Sequence, residues 1–301
     1  MGGYSFGAGV PTWNGIPMIG AFQKDFSGST YFVDNNSGSD GNKGDSWEKP
    51  FKTLAKAIAI SNINIAGSAN RWARRNTIFY AADTETVAIA TLPNKCDVIG
   101  CGSYNANTMP GITGHHAPTA AGAQGTRFFN VWFQSTGVAS PMWTLTSATA
   151  GLQFIGCMFD GVVGTVTTAI TATTSTFLKV LGCYFQGAFA TANISLATGA
   201  LVECEIRGNT MYGSAGDGIL INSGTTVSYG GLIKDNFIRC ATICINDASG
   251  KFYIVGNRGI STADDGTAGA GNVVGNVKFG ADNVFAGNDK TFIWPAYGAM
   301  A

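Results

Sequence analysis

Six carboxylates of the repetitive, strand-like part of this chain are candidates for chemistry: Asp160, Glu203, Glu205, Asp217, Asp235 and Asp247. Cleaving a glycosidic bond takes two carboxyl groups, about 5–5.5 Å apart for retention or roughly 6.5–9.5 Å for inversion. Glu203 and Glu205 are two positions apart, so on a strand they face the same way. Asp235 is expected on a later strand that can approach them. Glu203, Glu205 and Asp235 are therefore the acid–base candidates for glycan cleavage. Arg207 shares their face, and a Glu–Arg surface pair is the simpler use of those charges. A polysaccharide lyase would want clustered Asp for Ca²⁺ and a Lys or Arg base, and the sequence has no such Asp cluster.

The other chemical signals are weaker. His115 and His116 are adjacent, with no Cys, Asp or Glu within ten residues, so they make poor joint metal ligands. They are expected at a solvated loop tip. Asp34, Asn36, Asp40, Asn42 and Asp45 resemble a calcium loop, but Gly38 stands where an oxygen ligand is needed and Glu48 is one position late. Turn chemistry explains these residues better. No nucleophile-elbow, metalloprotease, phosphate-loop or dinucleotide-binding motif occurs. Catalytic residues, cofactor and metal are all expected to be none.

The elements that must carry these groups announce themselves by repetition. Residues 151–161 read GLQFIGCMFDG and residues 177–187 read FLKVLGCYFQG, 26 positions later. Looser copies stand at 200–209, 231–240, 252–261 and 277–287, and earlier turns at 96–105 and 128–137. Short, Gly-punctuated, β-rich repeats of this period mark a stacked solenoid of parallel strands. Strands are expected at Asn76–Ala82, Val87–Leu92 and Cys96–Gly100, with 102–126 a long loop leaving the barrel. Coils then occupy about 127–290.

Upstream, Tyr31–Val33 reads as a short strand, followed by an Asn/Asp/Gly/Ser loop. Pro50 stands where a helix would begin. Phe51, Leu54, Ala55, Ile58 and Ala59 then form an apolar stripe at helical spacing, with Lys52 and Lys56 facing away. The string VDNNSGSDGNKGDSWEKPFKTLAKAI resembles the opening of right-handed parallel β-helix proteins of the pectate-lyase-like superfold. The likeness runs through Val33, Asp34, Gly38, Ser39, Asp40, Asn42, Gly44, Pro50, Phe51, Lys52, Thr53 and Ile58. It implies an all-β, right-handed, single-stranded parallel β-helix with a short N-terminal capping helix. The superfold hosts lyases, hydrolases, phage tailspikes and non-enzymatic virion proteins, so the resemblance specifies fold more sharply than function.

Composition narrows the function. The 301 residues carry 18 Lys+Arg and 18 Asp+Glu, only 12% charged, with 42 Gly and 11% aromatic residues. A surface this poor in charge suits contact with proteins or glycans and not nucleic acid, whose phosphates need a basic face. No apolar run reaches the length of a membrane span. The N-terminus has neither a signal-peptide pattern nor a myristoylation pattern, since Phe6 stands where Ser or Thr is wanted. The seven Cys form no CxxC pair, and Cys157 and Cys183 hold equivalent places in two repeats. They read as reduced, buried, small apolar side chains stacked along the solenoid.

Residues 1–30 are Gly-rich and aromatic, without strand or helix period. They read as an extended arm lying on a partner, with Tyr4, Phe6, Trp13, Ile16 and Met18 as anchors. The expected domains are this arm, a cap at 31–75, the β-helix at 76–290 and a tail at 291–301. The expected function is a non-enzymatic structural protein of a phage-like virion: a capsid decoration (cement) protein or a tail-associated β-helix. It would be assembled in the host cytoplasm as a homotrimer, with the major capsid or other virion proteins as partners. The alternative is a tailspike-like protein that binds or cleaves cell-surface glycan.

Overall fold

In a computed structural model of the chain, Phe154 pairs in register with Val180, Val180 with Ile206, and Ile206 with Ile233. The 26-residue offset seen in the sequence is thus the length of one coil, and the repeated phrase is the corner between two of its faces. The structure describes residues 4–5, 12–13, 16–17, 28–68, 74–81, 83–103, 108–119, 125–161, 165–228, 230–261, 273–274 and 277–278.

The chain folds as a right-handed single-stranded parallel β-helix. Three parallel sheets of ten, nine and five strands run along it. A coil of the middle region contributes one strand to each. Gln153–Ile155, Met158–Gly161 and Thr168–Ala172 form one coil, and Leu178–Leu181, Tyr184–Gly187 and Ala192–Leu196 the next. Two more follow, starting at Cys204–Arg207 and Gly231–Lys234.

Alternate residues of each strand point inward, and parallel register stacks them into columns. Ile78, Val98, Phe128, Phe154, Val180, Ile206, Ile233 and Ile254 make the column of the first sheet, all buried. Ile112, Phe133, Phe159, Phe185, Met211 and Ile238 make that of the second. Phe159 and Phe185 stack with ring centroids 4.6 Å apart. Each ring thereby covers the apolar face that the coil before it leaves open, at roughly 2 kcal/mol per buried side chain.

The corner between the first two sheets has its own column. The residue leaving the first sheet adopts a left-handed conformation in successive coils: Asn130, Gly156, Gly182, Gly208, Asp235 and Gly256. The next residue points inward and is Val131, Cys157, Cys183, Asn209, Asn236 and Asn257 in turn. Asn236 Nδ2 donates to the Ile206 carbonyl at 3.0 Å and to Asn257 Oδ1 at 2.8 Å. Its Oδ1 accepts from the Asn209 backbone at 3.0 Å. Cys157 and Cys183 do the same job more weakly, donating to the carbonyls of Phe128 and Phe154, both at 3.4 Å. Side chains thus satisfy backbone groups that the turn would orphan.

The helix Leu54–Ala66 sits against the first two strands of the first sheet, Thr30–Val33 and Asn76–Tyr80. It begins at Leu54 with Thr53 as its cap, and not near Pro50. Phe51 instead bridges Val33 in extended conformation. The buried stripe is Leu54, Ala57, Ile58, Ser61 and Ile65, while Ala55 and Ala59 are exposed. Asn76 locks the cap in place: its Nδ2 donates to Ser61 at 3.0 Å and its Oδ1 accepts from the Ser29 amide at 2.7 Å.

Two further expectations are corrected. The strand after Asn76–Tyr80 is Thr84–Thr86, and Val87–Leu92 is not a strand. The described part of the stretch 102–126 does not form one long loop leaving the barrel. It contributes the strand Gly111–Thr113, and His116 bridges Trp143. His116 is buried, accepts from the Ile89 amide at 3.1 Å and lies 4.4 Å from the Trp143 ring. The strand Thr30–Val33 places the arm boundary of 30 one residue inside the first coil. The arm contains three two-residue strands, Tyr4–Ser5, Thr12–Trp13 and Ile16–Pro17, paired antiparallel. Phe6, Met18 and the tail 291–301 lie outside the described residues.

Two predictions follow from these contacts. Asn236→Ala leaves the Asn209 amide and the Ile206 carbonyl without their partner in a dry corner. It should cost about 3 kcal/mol in urea unfolding, against about 1 kcal/mol for Cys183→Ala. Burial, with the neighbouring His115 adding to it, pushes His116 down from 6.5 to about 3. The unfolded chain therefore binds more protons than the folded one between those values, and stability falls as pH drops through that window. Glu85, raised mainly by burial, acts with the opposite sign. The melting temperature should fall between pH 7 and 5, and His116→Phe should flatten or reverse that slope.

Candidate functional site

Glu205 lies on the outward face of the strand Cys204–Arg207, and Glu203 immediately precedes that strand. Parallel register sets Lys179 directly beside Glu205. The Lys179 Nζ reaches Glu203 Oε1 at 3.3 Å and Glu205 Oε2 at 3.2 Å, and Arg207 Nε reaches Glu205 Oε1 at 3.3 Å. Burial opposes the charge on Lys179, but its hydrogen bonds to Glu205 and Glu203 prevail and raise its pKa. The structure thus brings Glu203 and Glu205 together, on one ammonium. A carboxylate held by a lysine on one oxygen and an arginine on the other is poorly placed to act as a general acid.

Asp235 is not on a strand and does not join them. It occupies the left-handed corner after Gly231–Lys234, opposite Gly208. That puts it one coil away and three residues beyond Glu205, roughly 10 Å along the strand direction alone. It lines a hollow of about 310 Å³ with Asn236, Phe237, Gly256 and Arg258. Its carboxylate lies 3.7 Å from Lys234 Nζ. Among the described residues, no second carboxylate lines this hollow.

The remaining candidate acids accept from backbone amides and neutral side chains. Asp217 accepts from Thr242 Oγ1, from the Ile243 amide at 3.1 Å and from Asn246 Nδ2 at 3.1 Å. Asp247, fully buried, accepts from the amides of Ser249 and Gly250, both at 3.0 Å. Asp160 accepts from Gln186 at 2.8 Å on the next coil. In the N-terminal loop, Asp40 accepts from the amides of Lys52 and Thr53 at 3.0 and 2.9 Å, and Asn42 donates to the Pro50 carbonyl at 2.8 Å. These are turn and cap contacts, as expected. Among the described residues, no three His, Cys, Asp or Glu side chains gather as a metal would need, and no helix is long and apolar enough to cross a membrane.

Sequence reasoning missed two polar clusters. Asp97 receives Arg75 Nε and Arg127 Nε, each at 2.7 Å, so one carboxylate holds arginines from two coils. Burial opposes ionisation of Asp97, yet the hydrogen bonds from Arg127 and Arg75 hold it below the usual range. Glu85 lies inside the barrel under the helix. Both its oxygens accept from the Leu54 amide, at 3.2 and 3.1 Å, and Tyr80 donates to it at 3.3 Å. Beside it, an apolar cleft of about 260 Å³ runs between the helix and residues 87–91.

The outer face of the second sheet carries an aromatic row. Tyr184 and Tyr212 stack at 6.4 Å, Tyr212 and Phe237 lie 5.9 Å apart, and Arg239 covers Tyr212 at 5.7 Å. The faces of these rings are turned to one another along the solenoid. A sugar needs a free ring face, so this row stiffens the sheet more readily than it offers a platform.

No known protein family matches this chain, and neither does any curated protein sequence. Among solved structures it is similar to a rhamnogalacturonan lyase, at 11% identity and a TM-score of 0.37, over 78% of this chain and 74% of that one. The fold assignment rests on the strand register described above.

Removing the shared cation tests how the two glutamates are held. Lys179→Met should destabilise the protein by about 1 kcal/mol in urea unfolding at low salt, since these side chains are partly solvated. The difference should shrink in 1 M NaCl, where charges at this separation are screened.

Proposed function

We propose that this chain is a non-enzymatic structural protein of a phage-like virion, a capsid decoration (cement) protein or a tail-associated rod. The observation that carries this reading is the use made of Glu203 and Glu205. They are the only pair among the candidate acids that the fold brings together, and Lys179 and Arg207 neutralise them. Asp160, Asp217 and Asn236 are likewise spent on joining one coil to the next. What remains is a rod with few and balanced surface charges, suited to lateral contact with other proteins.

In this reading the rod associates as a homotrimer in the host cytoplasm. Residues 1–27 attach it to the major capsid protein or another virion component. Tyr4, Phe6, Trp13, Ile16 and Met18 are the anchors, since aromatic and large apolar side chains dominate such interfaces. The tailspike-like alternative, with cell-surface glycan as ligand or substrate, would instead need Asp235 or the Glu203–Glu205 pair released from its cations.

Light scattering on the full chain and on a variant lacking residues 1–27 tests the proposal. Cutting after residue 27 spares Gly28 and Ser29, which pack on the second coil. A trimer whose body survives the truncation, and which then no longer joins the particle, is the expected outcome. A monomer in both forms would overturn it and move attention to glycan cleavage, with Glu203→Gln, Glu205→Gln and Asp235→Asn as the decisive variants.

A further inference from the structure

Seven free thiols are present, and six of them are buried. Two of them, Cys157 and Cys183, are neighbours on successive coils. Cys157 and Cys183 donate to backbone carbonyls in the corner column, and burial pushes Cys96 and Cys204 up to about 12. Cys240 and Cys244 differ. Cys240 ends the second-sheet strand Phe237–Cys240, and Cys244 directly precedes the third-sheet strand Ile245–Asp247. The turn between them brings their sulfurs to 3.8 Å. In the preceding coil the same two places are held by Ser214 and Gly218, so the thiol pair belongs to this coil alone.

The corner is tight and well fixed. Ala241 donates to the Ser214 carbonyl at 2.9 Å and Ile243 to Asp217 at 3.1 Å, so the turn is pinned to the coil before it. A Cβ on Gly218 would meet Ile238 at 2.3 Å, which shows how little space surrounds the pair. Cys240 is 4% exposed, whereas Cys244 is fully buried. A hydroperoxide is small enough to meet Cys240 at that surface, and a bulky disulfide such as glutathione disulfide is not.

We propose that Cys240 and Cys244 form a peroxide-sensitive dithiol that closes to an intracoil disulfide. The Cys240 sulfur attacks one peroxide oxygen. A sulfur–oxygen bond forms, the oxygen–oxygen bond breaks, and the departing hydroxide takes the thiol proton as water. The Cys244 sulfur then attacks Cys240. A sulfur–sulfur bond forms, the sulfur–oxygen bond breaks, and the second hydroxide leaves with the Cys244 proton as another water. The two sulfurs lose two electrons and the peroxide is reduced to two waters. The sulfurs must approach by roughly 1.8 Å to reach bonding distance. The acidity of the pair favours Cys240 as the attacking sulfur: its hydrogen bond with Cys244 lowers its pKa against the effect of burial. Thiolates are the reactive form.

The test treats the full-length native protein with hydrogen peroxide, then unfolds it and alkylates the remaining thiols. Both cysteines fall in the single tryptic peptide 240–251. The expected result is loss of both alkyl groups from this peptide with a mass two units below its reduced form, reversed by dithiothreitol. In Cys244→Ser the reaction should stop at the Cys240 sulfenic acid, which dimedone traps. Two results would overturn the proposal. One is a peptide 240–251 that stays fully alkylated at peroxide levels that already oxidise the exposed Cys101. The other is a cross-link between the peptides of Cys157 and Cys183 in its place.

Discussion

Everything in this structure depends on one constraint: no coil can bury its own inward face. A three-sided turn of chain has an apolar interior only because the turns before and after it close the two ends of that interior. Register therefore matters more here than any single contact. A slip of one residue would carry Phe154, Val180 and Ile206 from the lumen to the solvent and set their polar neighbours inside. The 26-residue spacing is what prevents that slip, and the corner column enforces it. A left-handed residue followed by an inward side chain can occur only at the end of a strand, so each corner resets the count.

The corner column also explains how cysteine and asparagine come to be interchangeable here. Both must be small enough to fit the turn and must offer a donor to the carbonyl one coil earlier. Asparagine does this with an amide that also accepts, so Asn209, Asn236 and Asn257 bond to one another as well as to the backbone. Cysteine has only a weak donor, but its sulfur is at home among Phe128, Phe154 and their neighbours. The column changes from Cys to Asn where the core changes from Phe to Ile. Near the aromatic rings packing supplies the stability, and further along hydrogen bonds do.

Much of this was legible in the sequence because the same local task recurs. Gly, Cys, Met or Tyr, Phe at 156–159 and 182–185 spells out a corner and an inward ring, and with them the fold and the register. The capping motif was legible for the same reason: Gly44 lets the Phe51 ring approach, Asp40 holds the Lys52 and Thr53 amides, and Asn42 holds Pro50. What failed was what did not repeat. Phe51 has helical spacing from Leu54 and Ile58 yet belongs to an extended bridge. The coil through Gly111–Thr113 and His116 is too short in its strands to show a period of two, so its Gly and Ala content read as loop. Of the candidate site, the common face of Glu203 and Glu205 was legible. Their sharing of Lys179 was not, because that contact spans two coils. Asp235 looked like a strand residue because the corner position is usually glycine.

The low charge of the chain has a physical origin in the same stacking. In a parallel in-register solenoid, each outward residue lies beside its counterpart in the next coil, about 4.8 Å away. A faithful repeat would set Asp beside Asp and Lys beside Lys, and like charges across a ladder are destabilising. Asparagine, phenylalanine and threonine tolerate self-stacking, but ionised groups do not. In one outer column of the first sheet Arg207 lies beside Lys234, and each is offset by a carboxylate, Glu205 and Asp235; in the other, Asp97 is followed by Arg127, then neutral Gln153, then Lys179 and Glu205. Opposite signs alternate, and a neutral residue separates the two pairs. The repeat must therefore decay wherever the surface carries charge, which is why its best copies lie at the corner and in the core. Glu203 and Glu205, which first suggested catalysis, stand beside Lys179 for this reason. Their pairing is a condition of stacking the coils, and it leaves the outer face with little charge to spend on anything else.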